Sequence, residues 1–171
     1  MKVVVAYMSQ SGNTRRVADA IFAEISAEKQ MLTLDGIQDL GDCDLAFVGF
    51  PMQGFGAPAA AKDFLQRCCV GRRIALFVTH ASPEGEYGAL LDWLGNCRQA
   101  AAGATLLGMF DCQGALAPAV KQAMLRMDDP NLRRWAEMDK SQGQPDDSRL
   151  ARARAFAREI MATEASWSTE G

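Results

Sequence analysis

Histidine is nearly absent from this chain of 171 residues. His80 is the only one, which leaves few metal ligands and few groups that titrate near neutrality. Cysteine is present but not in a useful pattern: Cys43, Cys68, Cys69, Cys97 and Cys112 are odd in number and contain no C-x-x-C pair. That argues against a disulfide framework, a zinc site and a dithiol redox motif. An excess of one charge is also missing, since 18 Lys and Arg face 21 Asp and Glu for a net charge of -3. A nucleic-acid partner or an acidic membrane surface is therefore not indicated. No apolar run approaches the roughly 18 residues of a membrane helix, and Val3 to Val5 is too short for a signal sequence, so a cytoplasmic protein is expected. With so few acid-base groups, the chemistry is expected to belong to a bound cofactor or a partner.

What is there is an ordinary globular composition, 49% hydrophobic and 23% charged. A chain of this length buries roughly 70% of its unfolded surface, enough for one full core without staples. Lys2 to Tyr7 is a continuous apolar run rich in β-branched residues, as expected of a strand buried on both faces. After a small polar loop the period changes, with Val17, Ala18, Ile21, Phe22 and Ile25 at helical spacing. Further strands are expected at Met31 to Leu34, Asp44 to Phe50, Arg73 to Thr79 and Thr105 to Phe110. Helices are expected at Ala59 to Cys69 and at Gly88 to Ala101, the latter with Leu90, Leu91, Leu94 and Cys97 inward. Strands alternating with helices imply a five-stranded parallel sheet covered on both faces, a doubly wound α/β fold. Residues 1–171 read as a single domain in which 115–162 are helical only: Ala117 to Met127, Asn131 to Asp139 and Ser148 to Ala162. The last helix would bury Leu150, Ala153, Ala157, Ile160 and Met161, and the tail 163–171 lacks periodicity and is expected to fray.

In such folds ligands bind beyond the carboxyl ends of the strands, where strand order reverses. Three loops lie there. The first, Ser9-Gln10-Ser11-Gly12-Asn13-Thr14, places hydroxyls, an amide and a glycine at a helix N-terminus. It reads equally as a phosphate site or as an ordinary helix cap. It lacks the lysine of a nucleoside-triphosphate loop, which argues against an NTPase. The second, Pro51-Met52-Gln53-Gly54-Phe55-Gly56-Ala57-Pro58, offers a pliable backbone and an aromatic to cover a flat ring. Its G-x-G-x-x-A spacing is not taken as a dinucleotide fingerprint, because Pro58 interrupts it and no acid ends the next strand. The third, His80 to Tyr87, follows Thr79 and carries the lone histidine, two acids and a tyrosine; His80 is given no acid-base role. Met52, Phe55 and Tyr87 also have plain core or lid readings.

Together the three loops resemble the flavodoxin family, on Val3-Val-Val-Ala-Tyr-Met-Ser9-Gln10-Ser11-Gly12-Asn13-Thr14, on Asp44-Leu-Ala-Phe-Val-Gly49-Phe-Pro51, and on the loop after Thr79. The likeness covers residues 2 to 114 in the expected order and is looser beyond. It implies a flavodoxin-like fold with strand order 2-1-3-4-5 and an FMN-binding part spanning 1–114. It implies that non-covalent FMN puts its phosphate on Ser9 to Thr14. The ring would lie between the second loop, Pro51 to Gly56, and the third, with Thr79, His80, Ala81 and Tyr87. In the family a second-loop carbonyl can turn toward flavin N5, and Gly54 or Gly56 would permit that. Asp111, Glu84 and Glu86 would disfavour the anionic reduced ring. The chain departs from the family in lacking an evident pair of ring-stacking aromatics and a strongly acidic surface.

Three functions follow from the resemblance. The first is an electron-transfer protein passing electrons between a reductase and an acceptor enzyme, with redox proteins as partners. The second is an FMN-dependent NAD(P)H:quinone-type reductase, whose substrate pocket a second subunit would complete. The third is a non-redox accessory subunit. Either a monomer or a homodimer is compatible with these.

Overall fold

In the computed structural model residues 1–85 and 88–167 are described, Trp167 by its backbone only. Five parallel strands form one sheet in the order β2-β1-β3-β4-β5. The strands are β1 (Lys2–Tyr7), β2 (Glu28–Thr33), β3 (Leu45–Pro51), β4 (Arg73–His80) and β5 (Thr105–Gln113). β1, β3 and β4 are central and almost wholly buried, as their unbroken apolar runs require. Edge strand β2 alternates instead, and pairing with β1 rather than hydrophobicity sets its limits: Lys2 faces Glu28 and Tyr7 faces Thr33. It therefore starts three residues before the expected Met31, and Leu34 falls in a single 3-10 turn. β5 likewise runs past the expected Phe110, because its ladder with β4 continues to the pair His80 and Gln113.

Helices α1 (Asn13–Glu24) and α6 (Asp147–Trp167) cover one face, α2 (Ala59–Cys68) and α3 (Ala89–Gln99) the other. On the first face Val17, Ile21, Phe47 and Phe77 meet Ala153, Ala157 and Ile160 of α6. The small side chains of α6 let it lie close to the sheet, and Phe156 fits edge-on to Phe47 and stacked on Phe110, with centroids 6.2 and 5.8 Å apart. The expected inward stripe of α6 holds, with Leu150 and Met161 partly buried at its margins. In α3, Leu90, Leu94 and Cys97 are buried but Leu91 is 58% exposed. Adjacent helical side chains point about 100° apart, so the expectation for Leu91 is corrected.

The expectation of a frayed tail from Thr163 is corrected as well. α6 continues to Trp167, because Glu164, 5% exposed, pairs with Arg73 at the start of β4. Residues 168–171 lie outside the described residues. Between β5 and α6 come α4 (Pro118–Arg126) and α5 (Pro130–Glu137), which pack on each other. Asp129 caps α5 through the amides of Asn131 and Leu132, and Lys121 of α4 reaches Asp139 at 3.1 Å. Among the described residues no helix is long and apolar enough to cross a membrane.

Candidate functional site

The order β2-β1-β3-β4-β5 puts the carboxyl ends of β1, β3 and β4 side by side, so the loops after them share one edge of the sheet. In the first loop Gly12 precedes α1 with φ 91°, a left-handed conformation that favours glycine. As the N-cap it has no side chain to offer the helix. Ser9 Oγ accepts from the Gly12 amide at 3.1 Å, and the amides of Asn13 and Thr14 have no partner among the described residues. Ser9 Oγ also lies 3.4 Å from the Arg15 amide in the first turn of α1, so it contributes to capping while two amides stay open. The side chains of Asn13 and Thr14 are engaged elsewhere: Asn13 Nδ2 donates to Ala115 O at 2.8 Å, and Thr14 Oγ1 lies 2.9 Å from Thr79 Oγ1. Open amides, the exposed hydroxyl of Ser11 and the positive end of the α1 dipole can together hold a phosphate-like anion.

The second loop is a tight turn. Gln53 and Gly56 exchange two backbone hydrogen bonds, and the residues between them, Gly54 and Phe55, have φ 54° and 64°. Positive φ at both central positions is the hairpin geometry that glycine and asparagine prefer, so Phe55 holds it at a cost of about 1 kcal/mol. Its ring offsets this by lying 4.5 Å, centroid to centroid, from Trp93 of α3, and Asn96 donates to its carbonyl at 3.1 Å. Gln53 also donates to Gln10 at 2.9 Å, and the Met52 amide to Thr79 O at 2.8 Å, so all three loops are tied together.

The third loop is described as far as Gly85; Glu86 and Tyr87 lie outside the described residues. His80 is 5% exposed, with Nδ1 at 2.9 Å from Ser82 O and Nε2 at 3.1 Å from Asp111 Oδ2, a structural placement. Ala81 O accepts from Gln113 Nε2 at 3.0 Å. Glu84 faces α6 and not the open edge: Arg149 Nε donates to it at 2.7 Å and Arg152 Nη2 at 2.8 Å. Its charge is thus matched by two cations. Burial works against the Arg149 charge, but the Glu84 and Asp146 carboxylates outweigh it and raise its pKa. Hydrogen bonds from the Arg149 amide and guanidinium hold Asp146 below the usual carboxylate range. Burial pushes the Cys112 thiol, beneath this loop, up to about 12 and leaves it inert.

A cavity of about 410 Å³ opens on the α5 side of the third loop, between Ala81, Pro83 and Gln113 and the side chains of Arg134, Trp135 and Met138. A second, of about 300 Å³, lies behind the second loop against Lys62, Asn96 and Gln99. The sequence reading missed Trp93, Asn96, Arg149 and Arg152 as parts of the site. For Trp93 a signal existed, an aromatic off the inward stripe of its helix; the others had none.

A family model described as the flavodoxin domain matches residues 4–158. The flavodoxin-like domain-containing protein BilS of Clostridioides difficile (strain CD3) is 30% identical over 173 residues, covering 94% of this chain and 97% of that protein. Oxidised flavodoxin 2 from Bacillus cereus superposes with a TM-score of 0.62 at 20% identity, covering 95% of this chain and 99% of that one. A flavodoxin from the domain Archaea does so with 0.59 at 17% identity, covering 95% and 98%. At such identities the two structures establish the shared fold.

Proposed function

The chain belongs to the flavodoxin family, and from that premise we propose that it binds FMN non-covalently and carries electrons between a reductase and an acceptor enzyme. The observation that carries this is the open N-terminus of α1, with unengaged amides at Asn13 and Thr14 beside the Ser9 and Ser11 hydroxyls. That donor set fits a phosphomonoester. FMN, when bound, supplies the one- and two-electron chemistry, and no side chain need act as acid or base. The residues of this chain bind and orient: Ser9 to Thr14 hold the phosphate, and the loops Pro51 to Gly56 and Thr79 to Gly85 flank the ring. Phe55, lying against Trp93, fixes the second loop against α3. A cytoplasmic protein exchanging electrons with partner proteins is in keeping with this role.

A second reading is favoured by the 410 Å³ cavity, which falls in the size range of small-molecule sites and adjoins the third loop. It would admit a quinone-type acceptor, making the chain an FMN-dependent NAD(P)H reductase, as a monomer or homodimer.

The visible absorption spectrum with and without added FMN tests both. A protein that stays colourless after FMN is added and the excess removed refutes them. A yellow protein that oxidises NADPH unaided, with a quinone as acceptor, is the reductase; one that does not, yet passes through a resolved one-electron step on titration with dithionite, is the carrier. Ser11→Ala lowers FMN affinity and leaves riboflavin affinity unchanged. Equal loss for both ligands would refute the phosphate assignment.

A further inference from the structure

The helical region beyond β5 exceeds what the sheet needs for cover, and its contacts run to the walls of the candidate site. The carboxylate of Glu84 is the point at which α6 attaches to the third loop. One oxygen accepts from the Gln113 amide at 2.8 Å and from Arg149 Nε at 2.7 Å, the other from Arg152 Nη2 at 2.8 Å. Arg149 is itself fixed: its Nη1 donates to Asp146 Oδ2 at 2.9 Å, and Asp146 Oδ1 accepts from the Arg149 amide at 3.0 Å, capping α6. Arg152 lies over the Phe110 ring at 5.8 Å. Two acids and two cations balance, and the Glu84 and Arg149 side chains are only 23% and 19% exposed. Charge-assisted bonds sharing acceptors in a partly dry site hold geometry far better than single surface pairs.

The first loop is gripped from the same region. Asn13 donates to Ala115 O, and a Cβ on Gly114 would come within 2.7 Å of the Asn13 amide, so the two segments are in direct contact. The Ala115 amide in turn donates to Gln144 O at 3.1 Å, and the Leu116 amide to the buried Ser141 Oγ at 2.7 Å. α6 is seated on the sheet by Ala153 and Ala157, so it is a rigid anchor.

We propose that the C-terminal helical region is a clasp that pre-forms the flavin-ring site, with Glu84 as the positioning residue through which α6 holds the third loop. The proposal rests on the FMN reading for its ligand. The loop is ordered before the ring arrives, so binding does not bear the cost of ordering it, and ring affinity depends on residues more than 60 positions away in sequence. Glu84 is not catalytic. Its charge balance also matters: Glu84→Gln leaves one positive charge in excess and favours the anionic reduced ring, raising the reduction potential, whereas Arg152→Gln lowers it.

The test uses the full chain in four forms: wild type, Glu84→Ala, Arg149→Gln/Arg152→Gln, and the three combined. FMN dissociation constants, the bound-flavin absorption band and the reduction potential are measured. Amide exchange at residues 81–85 and 113 is followed in the flavin-free protein. Glu84→Ala is expected to weaken FMN about 10- to 100-fold, to shift the ring band toward that of free FMN, and to expose the Gln113 amide. Exchange at residues 9–14 stays unchanged. The arginine pair has a similar effect, and the triple variant adds little. Wild-type affinity, band and potential in Glu84→Ala overturn the proposal, as does a loss of protection spread equally over the first loop. If wild type binds no FMN, the cofactor reading fails, but exchange still decides the clasp: wild-type protection at 81–85 and 113 in Glu84→Ala overturns it.

Discussion

Gly49 is the position where one added methyl group tests the packing that supports the site. In the sheet it lies between Tyr7 of β1 and Phe77 of β4. A Cβ built on it would fall 1.9 Å from Phe77 Cε2 and 2.1 Å from Cζ, so the ring lies across the glycine backbone. Phe77 is 0% exposed and cannot swing into solvent. Gly49→Ala must therefore tilt the ring off its rotamer or part β3 from β4, at the upper end of the ~1–3 kcal/mol typical of overpacking. The gain from a less flexible unfolded chain returns about 0.5–1 kcal/mol, leaving a net loss of about 2 kcal/mol. For a chain of this size that lowers Tm by about 4–8 °C. The effect reaches the site because Gly49 O accepts from the Met8 amide at 3.0 Å, directly before the first loop. Thermal and urea unfolding by circular dichroism would be run on Gly49→Ala, Phe77→Leu and the double variant. Phe77→Leu makes room, so Gly49→Ala in that background should cost little, a coupling of about 1.5–2 kcal/mol. A Tm within 1 °C of wild type for Gly49→Ala, or additive effects in the double variant, would refute the reasoning.

Gly114→Ala should push the Asn13 side chain off Ala115 O, costing about 1 kcal/mol and weakening FMN binding, and since Asn13→Ala removes the same hydrogen bond the two losses should not add in the double variant; chemical unfolding and flavin titration check this. Phe55→Asn keeps the left-handed turn but loses the Trp93 contact, so stability should change by less than about 1 kcal/mol while Trp93 fluorescence shifts; a large loss would mean that the turn depends on the ring. The thiols of Cys69, Cys97 and Cys112 are pushed by burial from 9.0 to about 12, 11 and 12. Their folded pKa values lie above the unfolded ones, so the stability they contribute is whole below pH 9. It is lost as pH rises toward 11–12, by up to about 1.4 kcal/mol per thiol per pH unit. Urea midpoints at pH 8 and pH 10 read this, and a Cys→Ala set that keeps the same decline would point to other groups.

Much of the fold could be read from local pattern. The apolar runs of β1, β3 and β4 and the change of period at Thr14 are consequences of backbone geometry, which repeats every two residues in a strand and every 3.6 in a helix. The first loop was legible for the same reason: Ser9 to Thr14 is one contiguous segment between a strand and the helix it opens. Where pattern and backbone pairing differ, pairing decided, as at Glu28 in β2 and at Cys112 and Gln113 in β5. What no local pattern carries is which loop meets which distant helix. The grip of Arg149 and Arg152 on Glu84, the seat of Phe55 on Trp93 and the anchoring of Glu164 to Arg73 join residues 38 to 91 positions apart. Such contacts exist only once strand order has placed the loops at one edge and small alanines have let α6 settle across the sheet. Sequence by itself determined the elements and the polar loop that opens α1; the tertiary structure decided how the chain beyond Gly114 closes on that loop, because charge and packing at a distance depend on topology.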